Sequence, residues 1–432
     1  MICENLGINE QGHLTFGGFD TVELTKQYST ALYVMDEERI RANMRTYIGA
    51  MKKYFGEKSL PLYASKAASF KRIYAIAKEE GMGIDVVSSG EIYTAKCAGF
   101  PLSMAYFHSN NKTDEDVEFA IENGVGYFVA DNFEEVDAID FFAKKHGICQ
   151  KILLRLTPGI DPHTYEAVAT GKVDSKFGSA IETGAAEKIC RYALEKENIE
   201  LVGFHCHVGS QVFDSEVYLA AAEIMFKFIA DMKNKYGYTA KELNLGGGYG
   251  VRYTENDPVI DIAENIKLVS EKTKEMAERL GVEYPIIRME PGRSIVADAG
   301  LTLYKVGSVK RIEGYKNYVS VDGGMTDNPR YALYKSAYTV LAANKMNEDC
   351  NFECSVVGRC CESGDIIQEN VKLPESICRG DIIAVLSTGA YNYSMASNYN
   401  RVPRLPIVMV NGKDSYIAVK RESFEDIVRN DI

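Results

Sequence analysis

The sequence predicts an α/β fold: a (β/α)8 TIM-type barrel joined to a second, all-β domain of the barrel or sandwich kind. Three observations lead there. Between residue 31 and about residue 300, short β-rich runs alternate with helical stretches, the pattern of a parallel sheet wrapped by helices. Each β-rich run has a polar residue or a glycine at or just past its C-terminal end, the rim on which barrels do their chemistry. After about residue 300 the helices fade and glycine-punctuated strands take over.

In chain order, the barrel strands are LPLYA (60–64), IDVV (84–87), MAYFH (104–108), GYFVA (126–130), KILLRL (151–156), VGFHCHV (202–208), ELNLGG (242–247) and PIIRME (285–290). Helical segments such as SFKRIYAIAKEEG, TDEDVEFAIENG and NFEEVDAIDFFAKKHG separate them. The last two open on Thr113 and Asn132 as N-caps, and all three close near a glycine. An open doubly wound sheet is the alternative, but its glycine fingerprint would normally follow the first strand, and none does. The expected barrel domain spans 34–300. The second domain takes 301–432 and, with GHLTFGG, residues 1–33.

The bulk properties exclude several classes. A net charge of −12 argues against a nucleic-acid partner. No apolar run approaches the roughly 20 residues of a membrane span. The opening stretch MICENLGINEQGHLTF has no basic region followed by an apolar one, so no signal peptide is expected and a cytoplasmic location follows by default. Ten cysteines without a CxxC pair read as reduced thiols, mostly core residues.

The rim residues are Lys66, Ser88 with Ser89, His108, Asp131, Arg155, His207, Gly246 to Gly248, and Glu290. Lys66 follows a run that reads as a buried strand. An ammonium there either reaches solvent on its stem or is chemically employed. LNLGGGYGV (243–251) offers bare backbone amides to an anion, or is only a tight bend. HVGSQ (207–211), with Ser210, and EPGRS (290–294), with Gly292 and Arg293, add two more glycine turns after late strands. Together the three look like a divided phosphate cradle. In FHCH (204–207), strand spacing points His205 and His207 to one side and Cys206 to the other. An HxH pair in a barrel can bind metal, but the chain has six histidines and no convincing partner cluster, so no metal is expected. An imidazole can instead lie flat on an aromatic ring. An amine, a phosphate cradle, a stacking imidazole and a carboxylate, Glu290, at one mouth are the parts a pyridoxal 5'-phosphate site requires. The lysine condenses with the aldehyde, and the carboxylate keeps the pyridine nitrogen protonated.

With these parts in view, the chain resembles the diaminopimelate decarboxylases, of the pyridoxal phosphate group with an alanine-racemase-like barrel and a C-terminal β-domain. The resemblance rests on YASKA, HTYEAVATGKVDSKFG (163–178), GFHCHVGSQ, LNLGGGYG, EPGRSIVADAG, DNPRYALY (327–334), CCESGD (360–365) and GAYNYSMASNYN (389–400). It implies that Lys66 holds the cofactor aldehyde and that His207 stacks on the ring. It implies that Ser210, Gly248 and the backbone of Gly292 and Arg293 take the phosphate, while Glu290 meets the ring nitrogen. Arg293, Arg330 and Tyr334 would bind substrate carboxylate, and Tyr391 would lie near both cofactor and substrate. Cys361 would donate the proton and Glu362 grip the distal amine, both supplied by the other subunit of a homodimer. Strand alternation is expected to aim only one of Cys360 and Cys361 inward. Ala68 departs from the family, where asparagine is frequent.

The implied activity is decarboxylation of meso-2,6-diaminopimelate to L-lysine and carbon dioxide, the last step of lysine biosynthesis. A related decarboxylase for D-lysine, D-ornithine, ornithine, arginine or carboxynorspermidine is the neighbouring alternative. A non-catalytic homologue and a metal-dependent hydrolase using His205 and His207 are the others.

Overall fold

The computed structural model of the protein describes residues 2–160 and 174–432. The rest of the HTYEAVATGKVDSKFG segment up to residue 173 lies outside the described residues. The chain divides into two compact units, one of residues 44–250 and 259–292, the other of 1–43, 251–258 and 293–432.

The first unit is the barrel. Its strands are β1 (Leu60–Ala64), β2 (Gly83–Val86), β3 (Ala105–Phe107), β4 (Tyr127–Ala130), β5 (Gln150–Thr157), β6 (Ile199–His205), β7 (Glu242–Asn244) and β8 (Ile286–Met289). Each pairs in parallel with the next, and β8 pairs back onto β1 through Arg288↔Leu60 and Met289↔Pro61. That last pairing closes the ring and rules out the open sheet. Every run expected as a barrel strand is one. Leu62, Tyr106, Val129, Leu153 and Val202 point inward and fill the ring, so the interior is a packed core and only the rim is free for chemistry. Thr113 caps the helix Asp114–Glu122 with a full capping box, and Asn132 caps Phe133–Lys145 by accepting from the Glu135 N–H.

The second unit is built on a mixed sheet. Its strand order is Ile366–Leu373, Phe352–Val357, Tyr318–Val321, Gly300–Lys310, Leu32–Asp36, Ile407–Val410 and Ser415–Val419. Ile382–Val385 pairs with Gly300–Lys310 and with Val340–Ala342. Leu32, Val34, Leu301, Leu303, Ala384 and Val408 are packed into one core with Leu14 and Phe16 of the small N-terminal sheet. Burying each such leucine or valine contributes about 1.5–3 kcal/mol.

The unit boundaries differ from the expected 34–300. The strand Leu32–Asp36 runs antiparallel to Gly300–Lys310 and parallel to Ile407–Val410, so residues up to 43 go with the β-unit. All five of its residues are buried, and a run apolar on both faces carries no alternation to say which sheet it joins. Residues 251–258 and 293–300 also belong to the β-unit.

Candidate functional site

Two clusters carry the candidate chemistry, one in each unit. In the barrel, Lys66 sits on a single 3-10 turn, Ser65–Ala67, directly past β1, and its side chain is exposed. The strand keeps its apolar residues inside and releases the ammonium at the rim. Gly292, after β8, lies against this turn: a Cβ on it would be 2.9 Å from the Ala64 Cβ and 3.1 Å from that of Ala67.

The glycine turns after β6, β7 and β8 are packed backbone on backbone. A Cβ on Gly247 would lie 2.0 Å from the Glu290 carbonyl oxygen, and one on Gly248 2.3 Å from that of Gly209. Gly246 and Gly248 also have φ of +69° and +111°, conformations that favour glycine. The loops carrying Ser210 and Gly248 are zipped together by Val212 N–H donating to the Gly248 carbonyl at 2.9 Å and Gly250 N–H to that of Val212 at 3.0 Å. The glycines are therefore required for close approach, and the turns meet as bare peptide groups with no side chain between them.

The strand β6 ends at His205, so the alternation expected to point His205 and His207 to one side stops before His207. His207 lies in the loop, where its Nδ1 accepts the Gly247 N–H at 3.3 Å. That bond leaves Nε2 as the protonated nitrogen of the neutral ring. Burial, then the charges of Lys66 and Arg155, hold His207 well below the usual histidine range. It is a neutral, flat ring at neutral pH.

His205 turns instead to Glu290, which is buried and not at a surface ion pair. Asn244 Nδ2 donates to its Oε1 at 2.6 Å and His205 Nε2 to its Oε2 at 3.0 Å. His108 Nε2 lies 2.8 Å from Oε1, too oblique for a well-aligned hydrogen bond. Burial pushes the carboxyl up, but His108 and His205 outweigh it, and Glu290 stays well below the usual carboxylate range. Burial brings His205 down to about 4. The donor atoms of His108, His205 and Glu290 converge within 4.8 Å, but an incoming cation would have to displace N–H donors already turned to the carboxylate. Asp85, buried beside them, is raised by burial, against the charges of His108 and Lys66. Asn244 and Asp85 went unnoticed in the sequence. Asp85 is the one charged residue of Gly83–Val86 and Asn244 ends Glu242–Asn244, and a polar residue at such a place marks burial but not partners.

In the β-unit, Arg293 opens the short helix Arg293–Val296 and Arg330 the helix Arg330–Tyr334, and both are 7% exposed. Arg293 Nη1 donates to the Tyr253 hydroxyl oxygen at 2.5 Å, and Arg330 Nη1 donates to the same oxygen at 3.1 Å and to that of Tyr338 at 2.8 Å. The Arg293 guanidinium lies 4.7 Å from the Tyr391 ring centre. Tyr391 has φ +63°, rare for a residue with a side chain. Arg293, Arg330 and Tyr391 are thus brought together. Tyr334 ends its helix half-buried, and among the described residues no hydrogen bond links it to that cluster.

Cys360 and Cys361 lie in a turn between the strands Phe352–Val357 and Ile366–Leu373, not on a strand, so the alternation expected for them does not apply. The turn is shaped by Asp365, whose carboxylate accepts the N–H of Met325 at 2.6 Å and of Cys360 at 2.7 Å. Burial and that carboxylate push the Cys360 thiol up to about 11. Cys361 is exposed, its N–H bonded to Asn400 Oδ1 at 2.8 Å. Glu362 is exposed beside it.

Residues 39–297 match the family of pyridoxal-dependent decarboxylases, pyridoxal binding domain. Diaminopimelate decarboxylase of Bacillus subtilis (strain 168) is 45% identical over 98% of this chain and 96% of its own. That of Bacillus methanolicus is 44% identical over 96% of each. The crystal structure of diaminopimelate decarboxylase from M. jannaschii in complex with L-lysine superposes with a TM-score of 0.92 at 32% identity, covering 100% of this chain and 98% of that one. A parallel barrel with Lys66 and Glu290 on its rim, a separate β-sheet unit, and full-length identity of this order lead to one conclusion: the chain belongs to the diaminopimelate decarboxylases, within the pyridoxal-dependent decarboxylases.

Proposed function

We propose that the protein decarboxylates meso-2,6-diaminopimelate to L-lysine and carbon dioxide with pyridoxal 5'-phosphate, at the end of lysine biosynthesis. The observation that carries the reading is the Glu290 carboxylate, held ionised in a buried cage at the rim of a barrel whose first strand delivers Lys66. The residues present fit the cofactor: an amine, a neutral imidazole, glycine turns of bare peptide groups and an anionic carboxylate.

When bound, the cofactor supplies an electron sink for the pair left on Cα as the carboxylate departs. Lys66 would hold its aldehyde carbon, and neutral His207 would offer its ring a flat partner without a repelling charge. Ser210, Gly248 and the peptide groups of Gly292 and Arg293 would hold its phosphate. Glu290 would keep a proton on its ring nitrogen, with Tyr391 beside it. Arg293 and Arg330 bind the substrate carboxylate that is retained, with Tyr334 at its edge, and Glu362 binds the neighbouring amine. This pairing of cations and anion selects a substrate whose far carbon bears both groups. Cys361 Sγ holds the proton delivered to Cα. As family members of this pattern share their cysteine–glutamate pair across subunits, the working form is a homodimer in which Cys361 and Glu362 serve the partner's site. No helix of the described residues is long and apolar enough to cross a membrane, which is compatible with the cytoplasm as its location.

The test is purified protein with pyridoxal 5'-phosphate and meso-diaminopimelate, read as lysine and carbon dioxide, beside D-lysine and D-ornithine. Lys66→Ala should abolish product. Absence of lysine from the wild-type reaction, or faster release of carbon dioxide from D-ornithine, would overturn the reading.

A further inference from the structure

The arginine pair is held by a residue outside the motifs that carry the family likeness. Tyr253 lies two residues past YGV of LNLGGGYGV and belongs to the β-unit. Its phenol oxygen accepts from Arg293 Nη1 at 2.5 Å and from Arg330 Nη1 at 3.1 Å, so two guanidiniums aim at one atom. Its ring meets Tyr338 edge-on, with centres 5.2 Å apart and planes at 84°. Its carbonyl oxygen accepts the Thr339 N–H at 3.1 Å and the Thr339 hydroxyl at 2.8 Å, which fixes the residue from the backbone as well.

Two like charges drawn together in a buried place repel, and each loses water. Among the described residues no carboxylate lies within ion-pair distance of Arg330; its polar partners are the phenols of Tyr253 and Tyr338. Burial alone would raise the Tyr253 phenol, but Arg293 and Arg330 outweigh it and bring it below its ordinary value. The oxygen therefore sits in a field prepared for negative charge.

We propose that Tyr253 is a positioning and specificity-determining residue: its hydroxyl converges the forks of Arg293 and Arg330 on one point, so that the cluster selects ligands bearing a carboxylate over diamines lacking one. This rests on the reading that the two arginines receive the retained substrate carboxylate. A substrate carboxylate then meets donors already gathered and pays little to orient them. Without the hydroxyl the two guanidiniums keep their charge but lose the atom that makes them converge.

The test uses the cofactor-loaded protein and two competitive inhibitors, L-lysine, which has the carboxylate, and cadaverine, which lacks it. Tyr253→Phe keeps the ring and the backbone bonds and removes only the shared oxygen. It should raise the inhibition constant of lysine about tenfold and leave that of cadaverine unchanged, with KM for diaminopimelate rising more than kcat falls. Tyr338→Phe, which removes an acceptor from Arg330 alone, should give a smaller rise. Lysine and cadaverine weakening together, no change in Tyr253→Phe, or an equal or larger effect of Tyr338→Phe would overturn the proposal. Turnover of diaminopimelate by the wild type tests the activity separately; without turnover, the lysine-to-cadaverine ratio is read as dissociation constants by calorimetry, which keep their meaning whether or not the substrate is consumed.

Discussion

Replacing Glu290 by glutamine tests the buried cage most directly. The carboxylate accepts from Asn244 at 2.6 Å on Oε1 and from His205 at 3.0 Å on Oε2, with His108 also 2.8 Å from Oε1. A glutamine must keep its carbonyl oxygen at the Oε1 position, where the Asn244 amide donates and His108 Nε2 stands close. Its NH2 then faces the His205 Nε2–H, donor against donor. The imidazole can escape only by moving its proton to Nδ1, which is buried and has no hydrogen-bond partner. An unsatisfied buried donor costs about 1–3 kcal/mol. The remaining bonds lose their charge assistance, roughly 1 kcal/mol each, and the relief of no longer burying an anion offsets part of this. The expected net loss is about 2–3 kcal/mol. Urea unfolding of wild type and Glu290→Gln at pH 7.5, both stripped of cofactor, measures it. Equal midpoints, or a more stable variant, would show that burying the anion costs more than its cage returns, and the account of Glu290 as a held anion would fail.

Other perturbations follow from the same geometry. His205 titrates near 4 in the fold against about 6.5 unfolded, so between those values the unfolded chain binds the extra proton and stability falls as pH falls. His205→Asn should flatten the stability–pH slope over that window by up to about 1.4 kcal/mol per pH unit; parallel curves would refute the assignment. Gly248→Ala places a Cβ 2.3 Å from the Gly209 carbonyl at φ +111°, and should cost roughly 3 kcal/mol and release pyridoxal phosphate on dialysis, checked by melting and by absorbance of the retained cofactor. Cys361→Ser should lower kcat by roughly 100-fold or more, while Cys360→Ser, whose thiol is pushed up to about 11, stays within about twofold; equal losses would mean the exposed thiol is not the proton donor.

The sequence by itself determined the barrel. Strand runs from LPLYA to PIIRME and helix caps at Thr113 and Asn132 are local patterns, set by periodicity and by side chains bonding their own backbone. It also placed Lys66, the glycine turns and Glu290 on one rim, because the end of a parallel strand is a position in sequence as well as in space. Only the tertiary structure decided the rest. Leu32–Asp36 could have joined either sheet, and its pairing with Gly300–Lys310 depends on residues more than 250 positions away. Alternation misled twice: β6 stops at His205, and CCESGD is a turn held by Asp365. The partners of Glu290 and the convergence of Arg293 and Arg330 on Tyr253 were invisible for the same reason. A hydrogen bond between distant residues depends on angles and tenths of an ångström that folding sets, and no spacing along the chain encodes it.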